Sequence, residues 1–240
     1  MSSATRSKPK IPKAHWLARH PVWGVVMMLA GAVTFVALGF NVRTNGPLTA
    51  WDMPAANELH DRAVNGSELG RKAAVFVGTF GKESAGIILA VVAVYCLWHR
   101  QWRPLSMLVI GVLGGNTWFE VLSGFFMRQR PVFPDPLDPL PGPGFPSGHS
   151  MMAFLLYSLL AYLAMPRLSR PWRWVVGIAA IVLPLLVGFS RMFLGAHYLT
   201  DVLGGYAFGM LWGALAYTTL EVFFYKRAVS KAALNAVIES

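Results

Sequence analysis

Six stretches of this chain are long and apolar enough to cross the hydrocarbon of a lipid bilayer, which takes about 20 residues of helix. They run Trp23–Val42, Gly78–Trp98, Pro104–Phe126, His149–Met165, Trp172–Phe189 and Leu199–Tyr225. Backbone in hydrocarbon must satisfy its own hydrogen bonds, so runs of this kind become helices. The expected fold is all-α, an integral membrane six-helix bundle. It forms one domain over 23–225, between a basic segment over 1–22 and a tail over 226–240. Composition agrees: of 240 residues 55% are hydrophobic and 13% charged, too few polar groups to coat a soluble core. The second run is the least regular, because Lys82 and Glu83 interrupt its start.

An even number of spans puts both termini on one side. Arg6, Lys8, Lys10, Lys13 and Arg19, Arg100 and Arg103, Arg167, Arg170 and Arg173, and Lys226, Arg227 and Lys231 all flank the runs on that side. The positive-inside rule makes it cytoplasmic. The net charge of +10 is therefore a topology signal. Basic residues scattered over separate membrane-flanking segments do not build a nucleic-acid surface, which excludes that partner. The first run outlasts the ~7 to 15 residues of a signal-peptide core and is expected to stay as a helix. Cys96 is the only cysteine, so no intrachain disulfide forms.

Two connections on the outer side have texture. Between the first two runs, Trp51, Pro54, Leu59, Ala63 and Val64 interleave with Asp52, Glu58, Asp61 and Arg62. This predicts a short amphipathic helix at the interface, either a plain connection or a lid within the 44–72 segment. The stretch from Arg130 to His149 carries Pro131, Pro134, Pro136, Pro139, Pro141, Pro143 and Pro146. That spacing forbids regular helix and gives a stiff, extended loop. Asp135 and Asp138 in it read as solvated acids rather than a cation site.

Polar islands mark the outer ends of the runs. Ser147 and Gly148 directly before a helix offer a hydroxyl and unpaired N–H groups at a positive helix end, which suits an anion or serves as a plain N-cap. His197 and Asp201, four apart, can share a helical face, with the carboxylate holding one ring nitrogen. The other nitrogen is then free to be a nucleophile, a general base or a metal ligand. Arg128, Arg130 and Arg191 stand on the outer side against the charge bias of the rest of the chain. Guanidinium forks of this kind suit phosphate oxygens.

Taken together, Arg130-Pro131, Pro146-Ser147-Gly148-His149 and Ser190-Arg191 followed by His197 and Asp201 resemble the three-part signature of the phosphatidic acid phosphatase type 2 superfamily. The resemblance covers Trp23 to Tyr225. It implies a six-span enzyme that dephosphorylates lipid phosphates or pyrophosphates without metal or cofactor. By that resemblance His197, oriented by Asp201, attacks phosphorus and becomes a phosphohistidine, and His149 protonates the leaving oxygen. Arg130, Ser147, Gly148, Ser190 and Arg191 hold the phosphate. The substrate would be a membrane lipid such as undecaprenyl pyrophosphate or a glycerolipid phosphate, met in the bilayer at the outer membrane face. A non-catalytic lipid-phosphate binder or transporter and a lipid phosphotransferase use the same anion site. Vanadate haloperoxidases share it too, but six apolar runs argue against a soluble protein.

One position departs from the family pattern. A lysine is expected seven residues before Arg130, where this chain has Ser123. Lys82, near the outer end of the second run, and Arg128 are the candidate substitute cations. Lys82, Glu83 and Glu120 are otherwise expected to pair within the bundle, and Glu221 to reach the cytoplasmic interface.

Overall fold

The computed structural model describes residues 14–238, apart from the side chains of Glu83 and Ser84. Arg6, Lys8, Lys10 and Lys13 of the topology argument lie outside the described residues. After a short turn over Trp16–Arg19, the helices are α1 (Pro21–Thr44), α2 (Asp52–Val64), α3 (Glu68–Thr79), α4 (Glu83–Trp98), α5 (Trp102–Phe126), α6 (Gly148–Ala164), α7 (Arg170–Phe193) and α8 (Leu199–Ile238). Five of them, α1, α5, α6 with the turn that follows it, α7 and α8, are long and apolar enough to span a membrane. A seven-residue π-helical stretch, Met107–Leu113, lies inside α5.

The six runs map onto helices with two differences. Gly78 and Thr79, expected to open the second span, instead close α3, and the chain turns through Phe80, Gly81 and Lys82 before α4 begins. The cause is local. Ser67 caps α3, its hydroxyl accepting from Gly70 N–H at 3.1 Å, so that helix starts early. Gly81 at the break lets the chain press against His149, where an added Cβ would stand 3.0 Å from the His149 Cβ. At the other extreme, α8 runs on past Tyr225 because Lys226, Arg227 and Ala228 are good helix formers.

Helix α8 is the axis, packed along α1 and α6, and α7 closes over α6. Close approach depends on missing side chains. A Cβ on Gly31 would sit 2.6 Å from the Leu211 backbone nitrogen, and one on Gly205 2.4 Å from the Ser147 carbonyl oxygen. The core, centred on Met107, Val112, Phe145, Met151, Leu155, Leu156 and Leu159, fills the space between α5, α6 and α8. Outward-facing side chains such as Val33 and Ile181 stay exposed, 69% and 65%, as an apolar surface fit for lipid. Glu221 is not open to solvent. It is buried at the end of the bundle far from the signature residues, where Arg103 grips both its oxygens and the Tyr162 hydroxyl donates to it at 2.7 Å.

Candidate active site

The signature residues, drawn from three separate stretches of sequence, meet at one end of the bundle. Ser147 is the N-cap of α6, its backbone N–H donating to the Asp201 carbonyl at 2.9 Å. The start of α6 is thereby tied to the start of α8, with Gly148 and His149 in the first turn of α6. Ser147, Ser190, Arg191, His197 and Asp201 are buried to 3% exposure or less, and His149 to 7%.

His197 and Asp201 do not both lie on a helix. His197 sits in the turn that links α7 to α8, and α8 starts at Leu199. Asp201, in the first turn of α8, folds its Oδ2 back to accept from the Tyr198 N–H at 2.9 Å, half of a capping box. The same oxygen stands 3.6 Å from His197 Nδ1. Arg130 Nη1 lies 2.9 Å from His197 Nε2 and 3.4 Å from its Nδ1. A guanidinium can only donate, and the Asp201 carboxylate nearest Nδ1 can only accept, so the carboxylate favours the ring proton on Nδ1 and leaves the lone pair on Nε2. Burial lowers the pKa of His197 from its usual 6.5, outweighing the pull of Asp201, and keeps the imidazole neutral at physiological pH. The His149 and His197 ring centroids are 6.5 Å apart. That pairs a nucleophile-like nitrogen with a second imidazole on the neighbouring helix.

The arginines are each held differently. Arg130 Nη1 also donates to the Ala196 carbonyl at 2.9 Å, and its Nε to the Gly142 carbonyl at 3.0 Å. Arg191 Nη1 donates to Asp138 Oδ2 at 2.7 Å. Its guanidinium lies flat against α3, in room that exists because residue 78 is glycine: an added Cβ there would fall 1.4 Å from Arg191 Nη2. Arg128 Nη1 donates to Asp201 Oδ1 and to Thr200 Oγ1, both at 2.6 Å, and its Nη2 to Asp52 Oδ2 at 2.5 Å. Ser123 is buried one turn before the end of α5. Lys82 stands 3.8 Å from Glu120 and 5.2 Å over the Phe119 ring. That ring lies against Gly148, 2.9 Å from where a Cβ would be.

Four participants were not singled out from sequence as site residues: Asp52, Gly78, Asp138 and Thr200. Of the two loop acids, Asp138 is not a free solvated group, whereas Asp135 is exposed, 55%, as expected. Asp138 pairs with Arg191, and Asp135 lies 3.1 Å from Nε2 of His60, whose ring stacks on Phe133.

Comparison with known proteins agrees with this geometry. Residues 104–225 match the model of the PAP2 superfamily. The chain is 38% identical over 129 residues to the phosphatidylglycerophosphatase B of Bacillus subtilis, covering 52% of this chain and 62% of that one. It is 29% identical over 140 residues to the undecaprenyl-diphosphatase of Sulfolobus acidocaldarius, covering 56% and 63%. The chain thus spans somewhat less than two thirds of these curated relatives. Among solved structures, the transmembrane PAP2 type phosphatidylglycerolphosphate phosphatase from Bacillus subtilis superposes with a TM-score of 0.69 at 27% identity, over 83% of this chain and 96% of that one. With its apolar helices, the chain is an integral membrane protein. The match covers half the chain and takes in all three signature parts, so this protein belongs to the PAP2 superfamily.

Proposed function

We propose that the protein is a membrane phosphatase that hydrolyses a lipid phosphomonoester or pyrophosphate through a phosphohistidine. The observation that carries this is the contact of Arg130 with Nε2 of a buried His197 backed by Asp201. A phosphate held by Arg130, Arg191, Ser147 and the Gly148 amide brings its phosphorus to Nε2, with Ser190 beside Arg191. Attack forms the P–N bond as the bond to the lipid oxygen breaks, and His149 gives that oxygen a proton. Water, giving its proton back to His149, then cleaves the P–N bond and frees phosphate. The guanidinium groups and helix N-terminus stabilise charge that grows on the non-bridging oxygens.

The relatives named above make phosphatidylglycerophosphate and undecaprenyl pyrophosphate the first substrates to test. Hydrolysis should persist in chelator, disappear in His197→Ala and fall at least about a hundredfold in His149→Ala. Full activity in His197→Ala would overturn the mechanism. Of the two candidate substitute cations, Lys82 has the better claim on the phosphate. Its ion-pair partner Glu120 is 63% exposed and 3.8 Å away, whereas Arg128 is engaged by three groups. Lys82→Met should cut turnover about tenfold or more. A lipid-phosphate binder without turnover is the second reading, favoured by Ser123, and it predicts binding of those lipids with no phosphate release.

The charge pattern supports cytoplasmic termini, a 23–225 phosphatase domain and a site opening to the outer leaflet. Asp138→Cys in a Cys96→Ser background should react with an impermeant thiol reagent from outside, and a cysteine appended to the C-terminus should not.

A further inference from the structure

We propose that Asp52, on the helix that precedes the membrane bundle's second span, is a positioning residue for the nucleophile pair, acting through Arg128 and Thr200 on Asp201. The proposal rests on the phosphatase reading of His197 and Asp201. Asp52 is 2% exposed although it opens a surface helix. Its Oδ1 accepts from the Thr200 N–H at 3.0 Å, and its Oδ2 from the Thr200 hydroxyl at 2.6 Å and Arg128 Nη2 at 2.5 Å. Arg128 passes its other nitrogen to Asp201 Oδ1, while Asp201 Oδ2 faces His197. The Arg128 guanidinium is also roofed by the Tyr198 ring at 4.6 Å.

The signs alternate along this chain of contacts, and that alternation carries the argument. A guanidinium bound to Asp201 alone would neutralise the carboxylate and weaken its pull on the imidazole proton. A second buried carboxylate on the same guanidinium restores a net charge of −1 to the trio of Asp52, Arg128 and Asp201. Asp201 is thus locked in place by Arg128 without surrendering its influence on His197. A carboxylate in this position cannot serve the phosphate, which it repels, so its burial beside the site is accounted for by what it does to Asp201. The grip on Thr200, one residue before Asp201, fixes the first turn of α8 from outside.

The test uses the full chain in detergent micelles with two readouts. One is the pH profile of kcat on phosphatidylglycerophosphate or undecaprenyl pyrophosphate, whichever turns over faster, and the other is the titration of His197 followed by NMR of 13C-labelled histidine, assigned with His197→Ala. Asp52→Asn keeps the shape and, through its amide oxygen, the Thr200 N–H contact, but removes the charge and the second acceptor. It should lower the His197 pKa and the acidic limb of kcat by about 0.5 to 1 pH unit. It should also reduce kcat about tenfold with KM within about twofold. Arg128→Gln should move both readouts in the opposite direction, and the double variant should bring them back toward wild type. Each single variant has its own predicted direction, so either one decides the test if the other does not fold. A His197 titration that coincides with wild type in Asp52→Asn, or single-variant shifts that simply share a direction, would overturn the proposal and leave Asp52 as a helix staple. Absence of wild-type turnover would overturn the phosphatase reading, while the NMR titration would still decide this one.

Discussion

At the scale of single residues, what distinguishes this site is how completely its charges are occupied by one another. His197 is neutral because burial lowers its pKa, and a neutral imidazole is the form that attacks phosphorus. Lowering the pKa widens the range of pH over which that form dominates, so the acidic limb of kcat/KM in the wild-type protein should lie below pH 6.5. A pH–rate profile with its limb at or above that value would mean that Asp201 outweighs burial. Arg191 offers a second test. Asp138 holds it now with an anion of the chain's own, and in the proposed mechanism an incoming phosphate takes over the same guanidinium. Asp138→Asn removes the competitor and should tighten inhibition by phosphate or vanadate about threefold to tenfold, as expected for one partly exposed charge contact. Weaker inhibition would instead mean that Asp138 holds Arg191 in its working orientation.

At the scale of elements, α3 does something its sequence does not announce. The short helix ends beside the site, and its backbone at Gly78 forms the wall on which the Arg191 guanidinium rests. Gly78→Ala forces the guanidinium away and should reduce kcat/KM at least about tenfold, while circular dichroism and thermal midpoint stay close to wild type. Normal kinetics in that variant would show that Arg191 has a second productive pose. The helices themselves were legible because the bilayer imposes a single, simple requirement, a run of apolar residues, that any reader of the chain can see. His149, His197 and Arg191 were legible because each stands with its neighbours in a short polar island. Asp52 and Asp138 were not, since the first acts on Thr200, 148 residues away, and the second on Arg191, 53 residues away. In sequence both look like any loop or interface acid. The break at Gly81 was hidden for a related reason: Phe80 and Gly81 continue an apolar run, and the turn is set by packing against His149.

At the scale of the whole molecule, the bundle is fastened at both ends by buried charge. Opposite the site, Glu221 is 1% exposed and depends on Arg103 and Tyr162 for its partners. Arg103→Met leaves that carboxylate without its cation and should destabilise the protein by about 3 to 5 kcal/mol, visible as a lower thermal midpoint in detergent. The Arg103→Met, Glu221→Leu double variant should recover much of the loss, and neither should alter the KM of the surviving folded enzyme. Helix α4 raises a different matter. Its 16 residues are about 24 Å long, against the ~30 Å of a typical hydrocarbon core, and it starts just after Gly81, which packs on His149. A bilayer meeting a short wall should thin to match it, which would bring its phosphate groups down toward the histidines. Such an enzyme would be a gauge of membrane thickness, faster in vesicles of short-chain lipid and slower in long-chain ones, with the composition of the surrounding membrane acting as its regulator.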